Sequence, residues 1–96
     1  MPLFRVYGDI YDDIAAGRKT IEVRAWLKHG DTATFLSGTR VLRKKIVRVV
    51  PFHLGDGFFE TNWERIIPSA ENEEAARDRL RSIFPRFSHF YAYYIG

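Results

Sequence analysis

Cysteine is absent from the sequence. Its absence excludes a disulfide framework, thiol catalysis and a cysteine-ligated zinc site. The three histidines, His29, His53 and His89, lie far apart along the chain and lack the spacing of metal ligands. We therefore expect a protein that carries no metal and no cofactor.

Long apolar runs are also missing. No segment approaches the roughly 18 apolar residues of a membrane span, and the N-terminal segment turns acidic at Asp9, too early for a secretory signal peptide. A length of 96 residues, with 46% hydrophobic and 28% charged residues, fits one small globular domain over residues 1–96. We expect a cytoplasmic protein with no membrane association.

What is present is an uneven distribution of charge. Residues 18–48 carry nine Lys or Arg and two acidic residues, a local charge of +7, whereas residues 49–96 carry five Arg and seven acidic residues. A basic half in a chain of net charge +3 is typical of proteins that bind a polyanion, and nucleic acid is the first candidate. A solvated cationic surface is the alternative, and charge alone does not separate the two.

Hydrophobic periodicity predicts five strands, at residues 3–7, 19–26, 32–36, 40–52 and 89–95. A short helix is predicted over residues 9–16, ending at Gly17, and one or two helical turns over residues 58–67. The clearest helix is predicted over residues 70–84, with Ser69 as N-cap and Pro85 as its stop. Short strands without a βαβ rhythm predict an α+β fold, a small β-barrel of about five strands with short helices packed against it.

The segment GRKTIEVR, residues 17–24, is the first candidate for a functional site. In a strand that starts at Lys19, the apolar residues at 21, 23 and 25 face the core, and Thr20, Glu22 and Arg24 share the opposite face. These side chains are then close enough to hold one ligand together with Lys19, under the short helix before Gly17. Alternatively, Glu22 and Arg24 form a surface ion pair worth about 0–1 kcal/mol and Lys19 is solvated.

Aromatic residues are dense, and most of them must fill the core of so small a domain. Trp26, beside Lys28 and His29, is the best candidate for stacking on a nucleic-acid base, although a loop anchor explains it equally well. The predicted core phenylalanines are Phe35, Phe52, Phe84 and Phe90.

Gly17, Lys19, Glu22 and Arg24 also match a motif, G-x-K-x-x-E-x-R, and through it the chain resembles the ASCH domain family. The similarity extends to the Gly30-Asp31 turn, to RSIFP at residues 81–85 and to FYAYYIG at residues 90–96, and so covers nearly the whole chain. The resemblance implies a PUA-like barrel in which one helix roofs a cleft. It also implies a single-stranded RNA, nucleoside or nucleotide ligand.

For a binding protein, the expected roles follow from the charges. Lys19 and Arg24 would take phosphate, and Glu22 would accept a hydrogen bond from a base amine or orient Arg24. Lys44 and Arg48 share one face of the long strand and could carry a backbone track, whereas Arg43 and Lys45 face the other way. The predicted ligand-binding residues are Gly17, Lys19, Thr20, Glu22, Arg24, Trp26, Lys28, Lys44 and Arg48.

The resemblance leaves room for an enzyme, because one branch of the family removes the acetyl group from acetylcytidine with a lysine, a threonine and a glutamate. Its lysine corresponds to Lys19, but its threonine corresponds to Glu22, which would have to activate a water instead. Its glutamate precedes the long helix, where this chain has Glu71 or, with a shifted register, Glu74. A hydrolase would therefore use Lys19, Glu22 and Glu71, and a ribonuclease is the less favoured form. A protein-interaction module is the third interpretation, and it would need none of these residues.

Overall fold

A computed structural model describes residues 2–96. Within these residues, no helix is long and apolar enough to cross a membrane. The described residues form five strands and three helices in the order β1 (Leu3–Arg5), α1 (Gly8–Ala15), β2 (Ile21–Arg24), β3 (Thr32–Ser37), β4 (Arg40–His53), α2 (Phe58–Ile66), α3 (Glu73–Ile83) and β5 (His89–Ile95).

All five strands belong to one curled sheet with the order β1-β3-β4-β5-β2. β1 pairs with β3 in parallel, and the other pairs are antiparallel. β4 pairs with β3 over its first half and with β5 over its second, and the register shifts between Ile46 and Arg48. Because such an irregularity adds local twist and bend, one long strand can turn the sheet into an open barrel.

The two edge strands, β1 and β2, are joined by side chains. Arg24 of β2 donates to the carbonyl oxygen of Arg5 over 3.0 Å, and Lys28, just beyond β2, donates to the carbonyl oxygen of Leu3 over 2.6 Å. These two carbonyl groups would otherwise be unpaired acceptors on a sheet edge. Arg24 and Lys28 therefore close the half-barrel where no backbone ladder does.

Two apolar clusters fill the interior. One lies against α1 and includes Phe4, Phe35 and Tyr93, whereas the other lies under α2 and α3 and includes Phe52 and Phe90. The predicted core positions Phe35, Phe52 and Phe90 are buried. Phe84 differs, because it follows the last residue of α3 and is only partly covered.

The predicted α+β barrel with helices is confirmed, but several element ends are corrected. β1 ends at Arg5, and β2 covers only Ile21–Arg24. Ser69 is not the cap of the long helix: Asn72 is, and its side-chain oxygen accepts from the Ala75 N–H at 2.8 Å. The backbone of residues 67–70 forms a turn instead, with the Ala70 N–H donating to the Ile67 carbonyl, so the helix begins three residues later than predicted.

Candidate functional site

Three charged side chains of the segment 17–24 meet inside the fold. Lys19 and Glu22 are only 4% and 5% exposed, and Arg24 is half-buried. Lys19 Nζ lies 3.3 Å from Glu22 Oε1, and Arg24 Nη2 lies 2.9 Å from Glu22 Oε2. Each carboxylate oxygen therefore faces one cation, and Lys19, Glu22 and Arg24 form a buried triad. The surface ion pair that was the alternative interpretation is not what the structure has.

The turn after α1 directs Lys19 inward. Gly17 has a φ of +79°, a left-handed conformation that favours glycine. The backbone N–H groups of Arg18 and Lys19 then both donate to the carbonyl oxygen of Asp13, at 2.9 and 3.1 Å. Gly17 therefore forms the turn that directs Lys19 inward, although Gly17 itself does not line the cleft.

Lys19 is held by three acceptors. Besides contacting Glu22, its ammonium donates to the carbonyl oxygens of Ile21 at 2.8 Å and Ile66 at 2.5 Å. Ile66 is the last residue of α2, where the partial negative charge of a helix end favours a cation. Burial lowers the pKa of Lys19, against the attraction of Glu22. Because each of its three N–H groups has an acceptor, the side chain of Lys19 is nevertheless held as an ammonium. This ammonium connects the start of β2 to the end of α2.

Glu22 is held just as firmly, with one acceptor position left over. Its Oε1 also accepts from the Val23 N–H at 3.1 Å. Burial would raise the pKa of Glu22, but Lys19 and Arg24 outweigh burial and hold the pKa below its ordinary value. A carboxylate offers about four acceptor positions. Protein groups within residues 2–96 occupy three of them, so Oε2 can accept one further hydrogen bond.

The triad forms the charged floor of a cleft of about 350 Å³. One wall comes from the end of β1 and the start of α1, and the other from α3 and the residue that follows it. The two walls are linked by Arg79 of α3, which contacts both carboxylate oxygens of Asp9 of α1, at 2.9 and 3.3 Å. Apart from the triad, the cleft is lined by Arg5, Val6, Tyr7, Ile10, Val23, Ile66, Ile67, Leu80, Ile83 and Phe84.

Of the predicted site residues, Lys19, Glu22 and Arg24 line the cleft and the others do not. The Glu22 face of β2 is nevertheless not the outer one. Glu22 pairs with Tyr93 of β5, which packs against Phe4, and Arg24 lies over the Phe4 ring, so this face points into the barrel. The apolar residues Ile21 and Val23 pack under α2 and α3 instead. Glu71 and Glu74 are exposed and also outside the cleft, since it is the C-terminal half of α3, with Leu80 and Ile83, that reaches it.

The remaining predicted residues have other surroundings. Thr20 extends the sheet, its N–H donating to the Arg65 carbonyl and its carbonyl accepting from Ile95. The Trp26 ring lies against two phenylalanine rings beside the cleft. Lys28 lies over the Phe4 ring and borders a second, shallow hollow. Lys44 and Arg48 lie on β4, a strand that contributes nothing to the cleft lining, and Arg48 stacks on Tyr94.

Sequence reasoning missed Arg5 and the apolar walls. Arg5 lines the cleft, is exposed, and its side chain has no hydrogen-bond or ion-pair partner within residues 2–96. It is therefore a cation at the cleft mouth that is free to bind an anion. No local pattern marks it, because its position depends on the contact of β1 with β2, and these strands are neighbours only in the folded barrel.

The protonation of Glu22 gives a first testable prediction. Its pKa should fall below the ordinary glutamate value of 4.5, because two cations face the buried carboxylate. A carboxyl group with a lowered pKa in the folded state stabilises the fold above the unfolded value, and this contribution is lost as pH falls through the folded value. The carboxyl carbon shift of Glu22, followed by NMR between neutral and acid pH, measures the midpoint.

Asp9 is the control for this titration. The hydrogen bond from Arg79 also lowers the pKa of Asp9, but Asp9 is exposed and Arg79 is only partly buried. Added salt should therefore move the midpoint of Asp9 towards its ordinary value and leave that of Glu22 nearly unchanged, since buried charges are screened less. A Glu22 midpoint at or above 4.5 would contradict the buried triad.

Comparison with known proteins identifies the fold. No family model and no curated protein matches the sequence. Among solved structures, the hypothetical protein PH0355 superposes with a TM-score of 0.73 and 15% identity, over 97% of this chain and 94% of that one. Two single-substitution variants of ZmASCH from Zymomonas mobilis give TM-scores of 0.67 and 0.68 at 16% identity, over 97% and 98% of this chain and 66% of theirs. The chain therefore has an ASCH-like fold, as the motif predicted.

Proposed function

We propose that the cleft binds a nucleotide, either free or within RNA, with its base against the floor and its phosphate at the mouth. The observation that carries the proposal is the pairing of Glu22 and Arg24 at the base of an otherwise apolar cleft. A concave, largely apolar pocket with a few convergent polar groups is the usual form of a small-ligand site.

The floor offers an acceptor beside a donor. Glu22 Oε2 has room for one further hydrogen bond, and Arg24 uses only Nη2 towards Glu22 and the Arg5 carbonyl. The remaining N–H groups of Arg24 are available to a ligand. An exocyclic amine next to a ring acceptor, as in cytosine or adenine, matches this pair: the amine donates to Glu22, and the ring atom accepts from Arg24.

The walls suit the flat, weakly polar faces of a base. Leu80, Ile83 and Phe84 contribute apolar surface on one side, and Ile10 contributes it on the other. Aromatic and aliphatic contact with the ring face, together with hydrogen bonds to its edge, is how proteins recognise an unstacked base. The volume of about 350 Å³ lies at the small end of ligand pockets, which favours a single nucleotide.

Arg5 is the expected phosphate ligand. It lies at the mouth and has no partner within residues 2–96, whereas Lys19 already gives its three N–H groups to protein acceptors. We therefore assign Lys19 to positioning Glu22, and Arg5 takes the phosphate role that the sequence suggested for Lys19. A guanidinium can bind phosphate through two parallel hydrogen bonds.

The phosphate assignment predicts a selective effect of Arg5→Ala. Losing a charge-assisted hydrogen bond costs about 1.5–3 kcal/mol, so the affinity for a nucleoside monophosphate should fall about tenfold or more. The affinity for the matching nucleoside, which lacks the phosphate, should stay within about twofold. Amide chemical-shift titrations of both ligands measure this. Arg43→Ala is the matched control, because Arg43 is an exposed arginine outside the cleft.

The choice of base tests the floor. AMP should bind more tightly than the monophosphate of unsubstituted purine riboside, because that base lacks the exocyclic amine that donates to Glu22. Equal affinity for the two would argue against base reading by Glu22 and Arg24. If no nucleotide causes saturable shifts at the cleft residues, the proposed function fails.

An amidohydrolase acting on acetylcytidine is the second candidate, and the buried Lys19, with its lowered pKa inside a cleft, is the observation in its favour. The lowered pKa of Glu22 makes this carboxylate a weak base, and Glu71 lies outside the cleft. Incubation of acetylcytidine with stoichiometric protein tests this candidate. Release of cytidine that is abolished in a Lys19→Met variant still folded by circular dichroism would favour the enzyme, and intact acetylcytidine would leave a binding protein.

A further inference from the structure

Three aromatic rings form a cluster at one end of the cleft. Trp26 and Phe87 are 47% and 49% exposed, and Phe84 is half-buried between the surface and the core. The ring centroids are 6.3 Å apart for Trp26 and Phe84, 6.5 Å for Trp26 and Phe87, and 6.4 Å for Phe84 and Phe87. All three pairs are edge-to-face. We call Trp26, Phe84 and Phe87 the aromatic platform.

The platform is continuous with the cleft through Phe84. This residue lines the cleft, touches both exposed rings, and packs against the buried Phe90 at 5.5 Å. Phe84 therefore fixes the outer rings to the core. Because the cleft and the platform share a side chain, a ligand that leaves the cleft on this side meets Trp26 or Phe87 next.

The surroundings of the platform are cationic. The two segments that carry it, residues 23–30 and 79–96, contain no Asp or Glu. Arg81, in the last turn of α3, and Arg86, next to Phe87, are exposed, and neither side chain has an ion-pair partner within residues 2–96. An exposed apolar patch on segments that carry positive and no negative charge is complementary to a ligand that is aromatic and anionic at once.

We propose that the aromatic platform stacks a base adjacent to the nucleotide in the cleft, so that the ligand is a single-stranded oligonucleotide and not a free nucleotide. The proposal rests on the proposed function of the cleft and adds a second base site to it. Aromatic rings beside arginines are the usual means of holding single strands, since stacking binds any base and the cations follow the phosphates. Trp26 thus acts as a binding residue, although it does not line the cleft.

The test compares a hexanucleotide with a nucleoside monophosphate, for wild type, Trp26→Ala and Phe87→Ala. Stacking losses of this kind weaken binding about 5- to 150-fold per base, so each variant should bind a labelled hexanucleotide about tenfold more weakly. Affinity for the mononucleotide should stay within about twofold, because neither ring lines the cleft. Fluorescence anisotropy and amide-shift titrations supply the two affinities. Tyr11→Ala is the aromatic control, since Tyr11 belongs to neither the cleft nor the platform.

The two proposals fail in different ways. If the mononucleotide binds but the platform variants leave hexanucleotide affinity unchanged, the platform is not a base site and the cleft proposal stands. If the platform variants weaken binding of the hexanucleotide although no mononucleotide binds, the platform stands and the cleft proposal fails.

RNA and DNA hexamers are titrated side by side to establish which single strand is preferred. Poly-glutamate serves as an anionic competitor that has no bases. If it displaced the labelled hexanucleotide as effectively as an unlabelled hexanucleotide does, charge alone would explain the binding, and the platform would not be a base site.

Discussion

Glu22→Gln is expected to lower the free energy of unfolding by about 3–5 kcal/mol, the usual cost of removing one partner from a buried ion pair. The substitution preserves the shape of the side chain but leaves the ammonium of Lys19 and the guanidinium of Arg24 together without a counter-charge. One kcal/mol shifts the melting temperature of a domain of this size by about 4–8 °C. A thermal melt of the variant should therefore begin at least about 12 °C below that of wild type.

Two variants show whether the effect belongs to the triad. Glu74→Gln removes an exposed glutamate and should change stability by no more than about 0.5 kcal/mol. Lys19→Met removes one cation and leaves the Glu22–Arg24 pair, so it should cost less than Glu22→Gln, although it also frees the Ile21 and Ile66 carbonyls. A Glu22→Gln melt within a few degrees of wild type would show that the carboxylate is not needed to hold the two cations.

The stability role of the triad decides how its function should be probed. A residue that holds β2 to α2 cannot be removed without disturbing the walls of the cleft, so lost binding in a Lys19 or Glu22 variant has two explanations. Arg5, Trp26 and Phe87 avoid this difficulty, because their side chains are exposed and the fold does not depend on their polar contacts. They are therefore the positions at which binding can be changed with little change in folding.

The floor of the site could be predicted from the sequence, but its burial could not. A period of two along residues 19–24 correctly brings Glu22 and Arg24 to one side of a strand. The same period gives that side to solvent, because nothing in the segment reveals that Glu22 will pair with the buried Tyr93 of β5. Nor does it reveal that α2 will place the Ile66 carbonyl against Lys19, 47 residues earlier in the chain. Contacts at such separations are set by the topology of the whole sheet.

The walls of the cleft could not be predicted from local sequence patterns for the same reason. Arg5 occupies a three-residue edge strand whose spatial neighbour, β2, is paired to it by side chains only. The helix pattern of residues 70–84 was recognisable, yet its true start at Glu73 depends on whether Ser69 or Asn72 caps it, and both residue types cap well. Glu71 was assigned from the family resemblance, and it lies before the start of this helix, whereas only the other end of the helix reaches the cleft.

Phe4→Ala is expected to be about as destabilising as Glu22→Gln, at about 3–5 kcal/mol, because truncating a buried phenylalanine leaves a cavity as well as losing apolar contact. Phe4 is fully buried between the rings of Phe35 and Tyr93, at 5.5 and 5.2 Å. Its own ring also lies under Arg24 and Lys28, the two cations that close the barrel. The loss should therefore loosen the junction of β1 and β2 as well as the core.

Leu3→Ala provides the comparison on the same strand. Leu3 is mostly turned outward, and its carbonyl oxygen still accepts from Lys28 after the substitution, so urea unfolding should show a change below about 1 kcal/mol. Hydrogen exchange separates the two roles of Phe4: the Val6 amide, which donates to the Leu36 carbonyl, should exchange faster in Phe4→Ala relative to amides of the β4–β5 ladder. Uniformly faster exchange would mean that Phe4 supports the core alone, and that Arg24 and Lys28 hold the barrel closed without the ring beneath them.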